Sequence, residues 1–413
     1  MVFNFKKKKY EQGGSLTAIT WKRFLNNYIS VSAFIFIILI SLLSLIGYLI
    51  TPDDTPFSNT QNIEIAAKKP GFKVQMLLIR KNQINKKSNF FHKMLFGQES
   101  EFIYCPFDSY YFSNDSIYIE EITGDIPNNG VFIPYNIADV VYALNPENTT
   151  VTKKTDNIEF FDINDNKQNI PINSLINTIK DKYIITKTFL LGTDRFGRDM
   201  LSRLIIGARV SLSVGLISVL IALTIGILLG AIAGYYGGKV DQIIVWLINV
   251  VWSIPTLLLV IAITFALGKG FWQIFVAVGL TMWVDIARVV RGQVMSIKEK
   301  EFVEAARALG FKNNRIIFKH ILPNILGPVF VITASNFASA ILTEAGLSFL
   351  GIGVQPPMPS WGTMIKEHSA YIVIGSPWLA ILPGIAIMLT VLSFMLIGNG
   401  LRDAMDVRMT DTK

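Results

Sequence analysis

The sequence predicts an all-α polytopic membrane protein of six transmembrane helices, with a polar α+β or β-rich domain inserted after the first helix. Three observations carry this. Of 413 residues, 51% are hydrophobic and only 16% charged, with a mean hydropathy of +0.44, whereas soluble domains carry roughly a quarter charged residues. Apolar runs of about 20 residues, the length that crosses a bilayer core, recur along the chain. Lysine and arginine gather between particular runs rather than evenly. The formal charge of +8 follows from that bias and is not a nucleic-acid signal. One cysteine, Cys105, excludes a disulfide within the chain, and His92, His320 and His368 have no partners at metal-ligand spacing.

The first span is Ile29 to Ile50 (residues 29–50), preceded by a basic segment, residues 1–28, that includes Lys6 to Lys9, Lys22 and Arg23. Its apolar core is too long for a secretory signal, and Ser44-Leu45-Ile46-Gly47-Tyr48 is a poor cleavage site, so it is expected to be retained with a cytosolic N-terminus. Five further runs follow: Val210 to Ala233, Gln242 to Leu267, Phe271 to Ile286, Ile325 to Leu350 and Trp378 to Leu401. Six spans put both termini in the cytosol. The loop between the fourth and fifth is then cytosolic too, and it holds Arg288, Arg291, Lys298, Lys300, Arg307, Lys312, Arg315 and Lys319. The short outer connections hold only Lys269 and Lys366, as the positive-inside rule requires.

Gly226, Gly230 and Gly234 recur every four residues and make one smooth face on which another helix can pack closely in lipid. Pro255, Pro328 and Pro383 each interrupt a span and are expected to kink or unwind it. Residues 51–188 are polar and Asn-rich. Lys73 to Ile79 and Ser116 to Ile119 read as strands, and Pro127-Asn128-Asn129-Gly130 as a turn. By topology residues 51–208 lie outside the cytosol.

No phosphate-binding loop is present: neither Lys239 nor Lys269 has the upstream glycine or the following Ser or Thr, so the chain is not expected to hydrolyse ATP by itself. No metalloprotease or nucleophile-elbow motif occurs. Two acids lie inside the spans. Asp285 is one turn from Arg288 and is expected to pair with it near the cytosolic boundary, whereas Glu344, on a face with Ser348, is a candidate for a translocation path. Such sparse charge disfavours a proton-driven transporter.

The most informative segment is the loop Glu301-Phe302-Val303-Glu304-Ala305-Ala306-Arg307-Ala308-Leu309-Gly310, followed by Ile321-Leu322-Pro323-Asn324. It reads as a short helix with acid at the positive end of its dipole and glycine as its stop. Glu304-Ala305-Ala306 with Leu309, Gly310, Leu322 and Pro323 resembles the EAA loop of permease subunits of binding-protein-dependent ABC importers. Leu191-Gly192-Thr193-Asp194-Arg195-Phe196-Gly197-Arg198-Asp199, Ala208 to Leu212, Gly234 to Asp241, Leu347 to Pro357, Pro359 to Gly362 and Leu401 to Arg408 resemble the C-type subunit of dipeptide, oligopeptide and nickel permeases. The departures are the long insert, Asn399 where an acid is common and Val407 where proline is common.

This resemblance implies a type I ABC importer permease domain over residues 189–401, with a coupling loop at 288–323 and a cytosolic tail, 402–413. It implies partners: a second homologous permease, two ATPase subunits that bind ATP and Mg, and an extracytoplasmic substrate-binding protein, in a bacterial inner membrane. The chain itself would hold no cofactor. Peptide is the expected substrate, with nickel or another small solute as the alternative. A membrane-anchored scaffold or sensor is the reading from a different class. Within the family motif, Asp194, Arg198 and Asp199 are expected to anchor the loop by ion pairs rather than to touch substrate.

Overall fold

The computed structural model describes residues 16–84, 88–124, 129–147, 150–154, 156–268 and 270–405. Lys6 to Lys9, Lys269, the turn residues Pro127 and Asn128, and the tail beyond Met405 lie outside that set. The chain forms two compact units. One takes the described parts of 1–41, 211–353 and 385–413, and the other takes those of 42–210 and 354–384.

Five described helices are long and apolar enough to cross a membrane: Tyr28–Leu45, Met200–Tyr236, Phe271–Ile297, Asn313–Phe349 and Trp378–Met405. The expected span Gln242 to Leu267 is instead two helices, Gly238–Trp252 and Thr256–Leu267, bent by 92°. Pro255 is the cause. It offers no N–H to the preceding turn, and its ring pushes Ile254 out of helical conformation. The described spans therefore number five, or six if the bent pair crosses as one. Pro328 and Pro383 sit inside helices that continue past them, so the strong break is at one proline rather than three.

In the first unit, packing turns on the glycines of Met200–Tyr236. A Cβ at Gly226 would lie 2.7 Å from the Ile286 Cβ and 2.8 Å from the Trp283 carbonyl oxygen. At Gly230 it would lie 2.5 Å from the Ala287 carbonyl oxygen, and at Gly234 2.7 Å from that of Arg291. From the other side, a Cβ at Gly279 would come 2.9 Å from the Ser218 carbonyl oxygen. The Ser218 hydroxyl donates across the seam to the Phe275 carbonyl at 3.1 Å. Lipid supplies no hydrophobic drive for helices to associate, so backbone approach of this kind is what holds them. Arg291 also clamps Gly238–Trp252 onto the same helix, its guanidinium donating to Asp241 at 2.6 Å.

In the second unit, the polar stretch folds. Its strands are β1 (Phe72–Arg80), β2 (Phe102–Ser113), β3 (Ser116–Glu121), β4 (Phe132–Asn136), β5 (Thr152–Lys154), β6 (Asn157–Phe161), β7 (Lys167–Pro171) and β8 (Ile184–Phe189). They make an antiparallel sheet in the order β4-β3-β2-β1-β8 and a smaller one in the order β5-β6-β7. β1 is covered on both faces: Leu77 and Ile79 join a core with Phe107, Ile117, Phe160 and Leu175, while Val74 and Met76 join Ile65, Ile122 and Phe189. Double burial explains why Met76-Leu77-Leu78-Ile79 is uninterrupted apolar sequence. The fold is α+β, with helices Ile137–Val141 and Ile172–Thr178 contributing Val140 and Leu175 to that core.

Gly230→Val should destabilise the protein by about 1–3 kcal/mol, because the obstruction at this position is a backbone carbonyl that cannot step aside. Gly292→Val, where a Cβ meets nothing within 4 Å, is the control. Thermal unfolding in detergent measures both; equal losses would mean that the glycine seam is not what joins these helices.

Candidate functional site: a docking helix, a buried clasp and a membrane cavity

Glu301–Ala308 is an eight-residue helix. Its acids Glu301 and Glu304 occupy the first turn and Arg307 the last, so each charge complements the helix dipole. Val303 and Ala306 are buried and hold the helix in place, while Phe302, Glu304, Ala305, Ala308 and Leu309 are exposed. Leu309 is 73% exposed, high for leucine on a rigid element. The helix stops at Gly310, whose φ of +75° is left-handed. The Phe311 N–H donates to the Ala306 carbonyl at 3.2 Å and the Gly310 N–H to that of Arg307 at 3.0 Å, the two bonds of a Schellman cap. Open space surrounds Gly310, so its dihedral rather than crowding demands glycine. Leu322 and Pro323 begin the helix Leu322–Phe349, directly after a wide π-type turn, Ile316–Ile321.

The segment Gly192 to Asp199 lies apart from this helix in sequence and belongs to the second unit. Asp194 is fully buried and accepts from the N–H groups of Phe196 (2.8 Å) and Arg198 (3.0 Å) and from the Arg198 Nε (2.6 Å). Arg203 Nε lies 3.5 Å from the same carboxylate, within ion-pair range but without hydrogen-bond geometry. Arg198 donates further to Asn59 (3.0 Å) and Glu367 (3.2 Å). Thr193 takes the Lys68 N–H at 2.9 Å on its hydroxyl oxygen. At Gly192 and Gly197 a Cβ would collide with the backbones of Lys68–Lys69 and Asn62. The motif is thus a clasp that gathers residues 59–68, the start of Met200–Tyr236, and the helix Trp361–His368. Asp199 differs from its neighbours. Among the described residues it pairs with no cation; it accepts from the Ser202 N–H at 2.7 Å, as a helix cap does, and burial pushes its carboxyl above the ordinary range against the bonds from Ser202.

Sequence reading missed Arg203, Glu367 and His368 in this clasp. An arginine at the edge of an apolar run was a signal for the first, but Glu367 and His368 come from far along the chain and carried none. His368 is wholly buried and its Nδ1 lies 2.7 Å from the Met364 carbonyl. A carbonyl only accepts, so Nδ1 bears the proton, and Nε2 has no partner among the described residues. Desolvation lowers the His368 pKa from 6.5, with Asp194 and Glu367 pulling the other way.

Of the two acids within the apolar helices, Asp285 departs from expectation. Glu344 is fully buried, and its carboxylate accepts from Ser348 at 2.7 Å and from Ser211 at 3.3 Å. It and Ser348 are held between packed helices and line none of the described cavities. The neighbouring face of that helix instead presents Asn336, Ser339 and Thr343 to a cavity of about 230 Å³ beside the Pro255 break. Asp285 opens onto that cavity. It forms no ion pair with Arg288, whose guanidinium lies 3.8 Å from the centroid of the Trp252 ring, a cation–π contact.

Asp194→Asn should destabilise by about 3–5 kcal/mol, since it leaves Arg203, 2% exposed, as a buried charge without its anion. Thermal unfolding reads this directly, and a loss under 1 kcal/mol would remove the clasp from the stability argument. His368 supplies a pH test. Its folded pKa lies below 6.5, so below pH 6.5 the unfolded chain takes up a proton that the folded chain refuses, and stability falls as pH drops through that window. His368→Gln should flatten that part of the stability curve between pH 7 and 5.

Residues 226–411 match the family model for the binding-protein-dependent transport system inner membrane component, and residues 15–70 match that for the N-terminal TM domain of oligopeptide transport permease C. Residues 71–225 lie between the two matches. The dipeptide transport system permease protein DppC of Alkalihalophilus pseudofirmus is 46% identical over 53% of this chain and 71% of its own. The oligopeptide transport system permease protein OppC of Haemophilus influenzae is 46% identical over 52% and 69%. The glutathione transport system permease protein GsiD of Pectobacterium atrosepticum is 43% identical over 53% and 72%. Among solved structures, a chain of the MetNI methionine ABC transporter in an inward-facing conformation aligns with 50% of this chain and 97% of its own, at 19% identity and a TM-score of 0.42. With identity at this level across more than two thirds of its relatives, the chain belongs to the inner membrane components of binding-protein-dependent transport systems, as a C-type permease subunit of the dipeptide and oligopeptide group.

Proposed function

We propose that this chain forms one half of the translocation path of an ATP-driven importer of di- or oligopeptides. A second, homologous permease subunit supplies the other half. Two separate ATPase subunits bind ATP and Mg and hydrolyse the nucleotide, and a binding protein delivers substrate on the outer side. Both termini and the loop with Glu301–Ala308 face the cytosol, while residues 51–208, with the folded strands β1 to β8, face away from it. The basic run Lys298, Lys300, Arg307, Lys312, Arg315 and Lys319 supports that orientation. Relatives named for dipeptide, oligopeptide and glutathione transport support peptide over nickel.

The observation that carries this reading is the exposed helix Glu301–Ala308, held by two buried side chains and stopped by a fixed cap. Its small residues Ala305 and Ala308 keep it thin enough for a groove on a partner, and Phe302 and Leu309 give that groove something apolar to grip. When the ATPases close on nucleotide, the docked helix moves with them and shifts the permease between inward- and outward-facing states. The binding energy of nucleotide thereby selects one conformation over the other.

Gly310→Val should lower uptake tenfold or more with an unchanged amount of protein in the membrane, because a β-branched residue does not adopt a φ of +75°. Gly310→Asn, which tolerates that region, should retain most of the activity. Uptake of labelled dipeptide by proteoliposomes holding the whole transporter checks both, and full activity of Gly310→Val would sink the coupling role.

A further inference from the structure

Asp285 is the one acidic side chain of Phe271–Ile297 and lies about 21 Å along it from Phe271, at ~1.5 Å per residue. A carboxylate within a spanning helix is costly unless something faces it. Here no described side chain does. Arg288, one turn away, is stacked on Trp252, and the Asp285 carboxylate takes part in no ion pair or hydrogen bond among the described residues. The seam fixes this direction: Trp283, Ile286, Ala287 and Val290 pack toward Met200–Tyr236, and at about 100° per residue Asp285 falls on the opposite side.

The rest of the cavity is matched in kind. Thr281 donates its hydroxyl hydrogen to the Val278 carbonyl and Thr343 to that of Ser339, both at 2.8 Å, so what these side chains have left to offer is oxygen lone pairs. Asn336, 4% exposed, turns its Nδ2 toward the Met282 carbonyl at 3.4 Å and leaves its carbonyl oxygen available. No described lysine or arginine lines the cavity, and neither does a histidine or cysteine. One negative charge, the lone pairs of Thr281, Thr343 and Asn336, and the hydroxyls of Thr256 and Ser339, which can accept as well as donate, suit a cation that carries several N–H groups. They do not suit a carboxylate, nor a metal ion that prefers imidazole or thiolate ligands.

We propose that Asp285 and this cavity receive the primary ammonium group of the peptide as it passes through the membrane. This deepens the peptide reading above and rests on it. The bent pair Gly238–Trp252 and Thr256–Leu267 forms one wall through Trp252 and Thr256, and Asn336, Ser339 and Thr343 on Asn313–Phe349 form another. Asp285 stands between them as the charged contact.

The test uses the complete transporter in nanodiscs without its binding protein, with labelled phenylalanyl-glycinamide, which has an ammonium and no carboxylate, as the probe. Asp285→Asn should weaken its binding at least tenfold, Asp285→Glu should keep most of it, and N-acetyl-phenylalanyl-glycinamide should not compete. Maximal dipeptide uptake by proteoliposomes with saturating binding protein should fall in parallel for Asp285→Asn alone. Wild-type binding of the probe that Asp285→Asn leaves unchanged overturns the ammonium site and spares the peptide reading. Loss of the second permease from purified Asp285→Asn, with recovery by Asp285→Glu and unchanged probe affinity in the assembled fraction, would assign the carboxylate to the subunit interface and also overturn it. A wild-type transporter that takes up no dipeptide at all defeats both readings together.

Discussion

The contact between the glycine face of Met200–Tyr236 and Phe271–Ile297 is the constraint on which the first unit depends. Side-chain burial gains little between helices already surrounded by lipid, so association rests on how many atoms touch and how closely. Three glycines at four-residue spacing bring one backbone against the carbonyls of Trp283, Ala287 and Arg291. Gly279 answers from the partner helix, and the Ser218 hydroxyl adds a bond across the seam. Contact this close sets rotation as well as distance. The face of Phe271–Ile297 that cannot meet the seam, with Asp285 on it, is turned outward by the same packing.

The second unit solves a different problem, which is how to hold charge out of water. Asp194, Arg198 and Arg203 are each no more than 3% exposed. Buried ions are tolerable only where attraction and hydrogen bonds replace lost hydration. Asp194 meets this with backbone and guanidinium donors together, and Arg198 divides its donors among Asp194, Asn59 and Glu367. Such a network does little for net stability compared with an apolar core. Its effect is specificity: only one arrangement of residues 59–68, 192–203 and 361–368 satisfies all of it. The strand domain that begins at Phe72 and ends at Phe189 is inserted between the first two of those segments. The clasp therefore closes on both ends of the insert, and a long insertion there costs only slowly rising loop entropy.

Much of this was legible in the sequence where the signal is local. The four-residue glycine repeat predicted a helix seam, the run Lys73 to Ile79 predicted a strand, and the Glu301 to Gly310 segment predicted a capped helix. In each case one element's own residues carry the information. Where the outcome depends on distant partners, the reading failed. Asp285 and Arg288 are spaced for a pair, but Trp252, more than thirty positions away, takes the guanidinium. The bond from Ser211 to Glu344 likewise comes from a helix far away in sequence and carried no local signal. Pro255 and Pro328 look alike in sequence. Only the first breaks its span sharply, the chain turning by 92° just past Ser253, while the helix around Pro328 continues through one missing donor.

The placement of the exposed helix explains how force applied to it can reach the cavity. Three residues, Lys298 to Lys300, separate it from Phe271–Ile297, and the bonds Lys298 N–H to Val294, Lys300 N–H to Ile297 and Val303 N–H to Lys300 leave no slack between them. On its far side, the Schellman cap hands the chain to Phe311, whose ring stacks on His320 at 5.8 Å, and then to Asn313–Phe349. The two helices tied to the ends of this lever are the two that carry Asp285 and the Asn336, Ser339 and Thr343 face. Between Glu301–Ala308 and Asn313 the left-handed residue among those described is Gly310, and its N–H and that of Phe311 are both bonded back into the helix. In the coupling proposed above, a displacement of Glu301–Ala308 passes to both walls of the cavity and changes the space around Asp285.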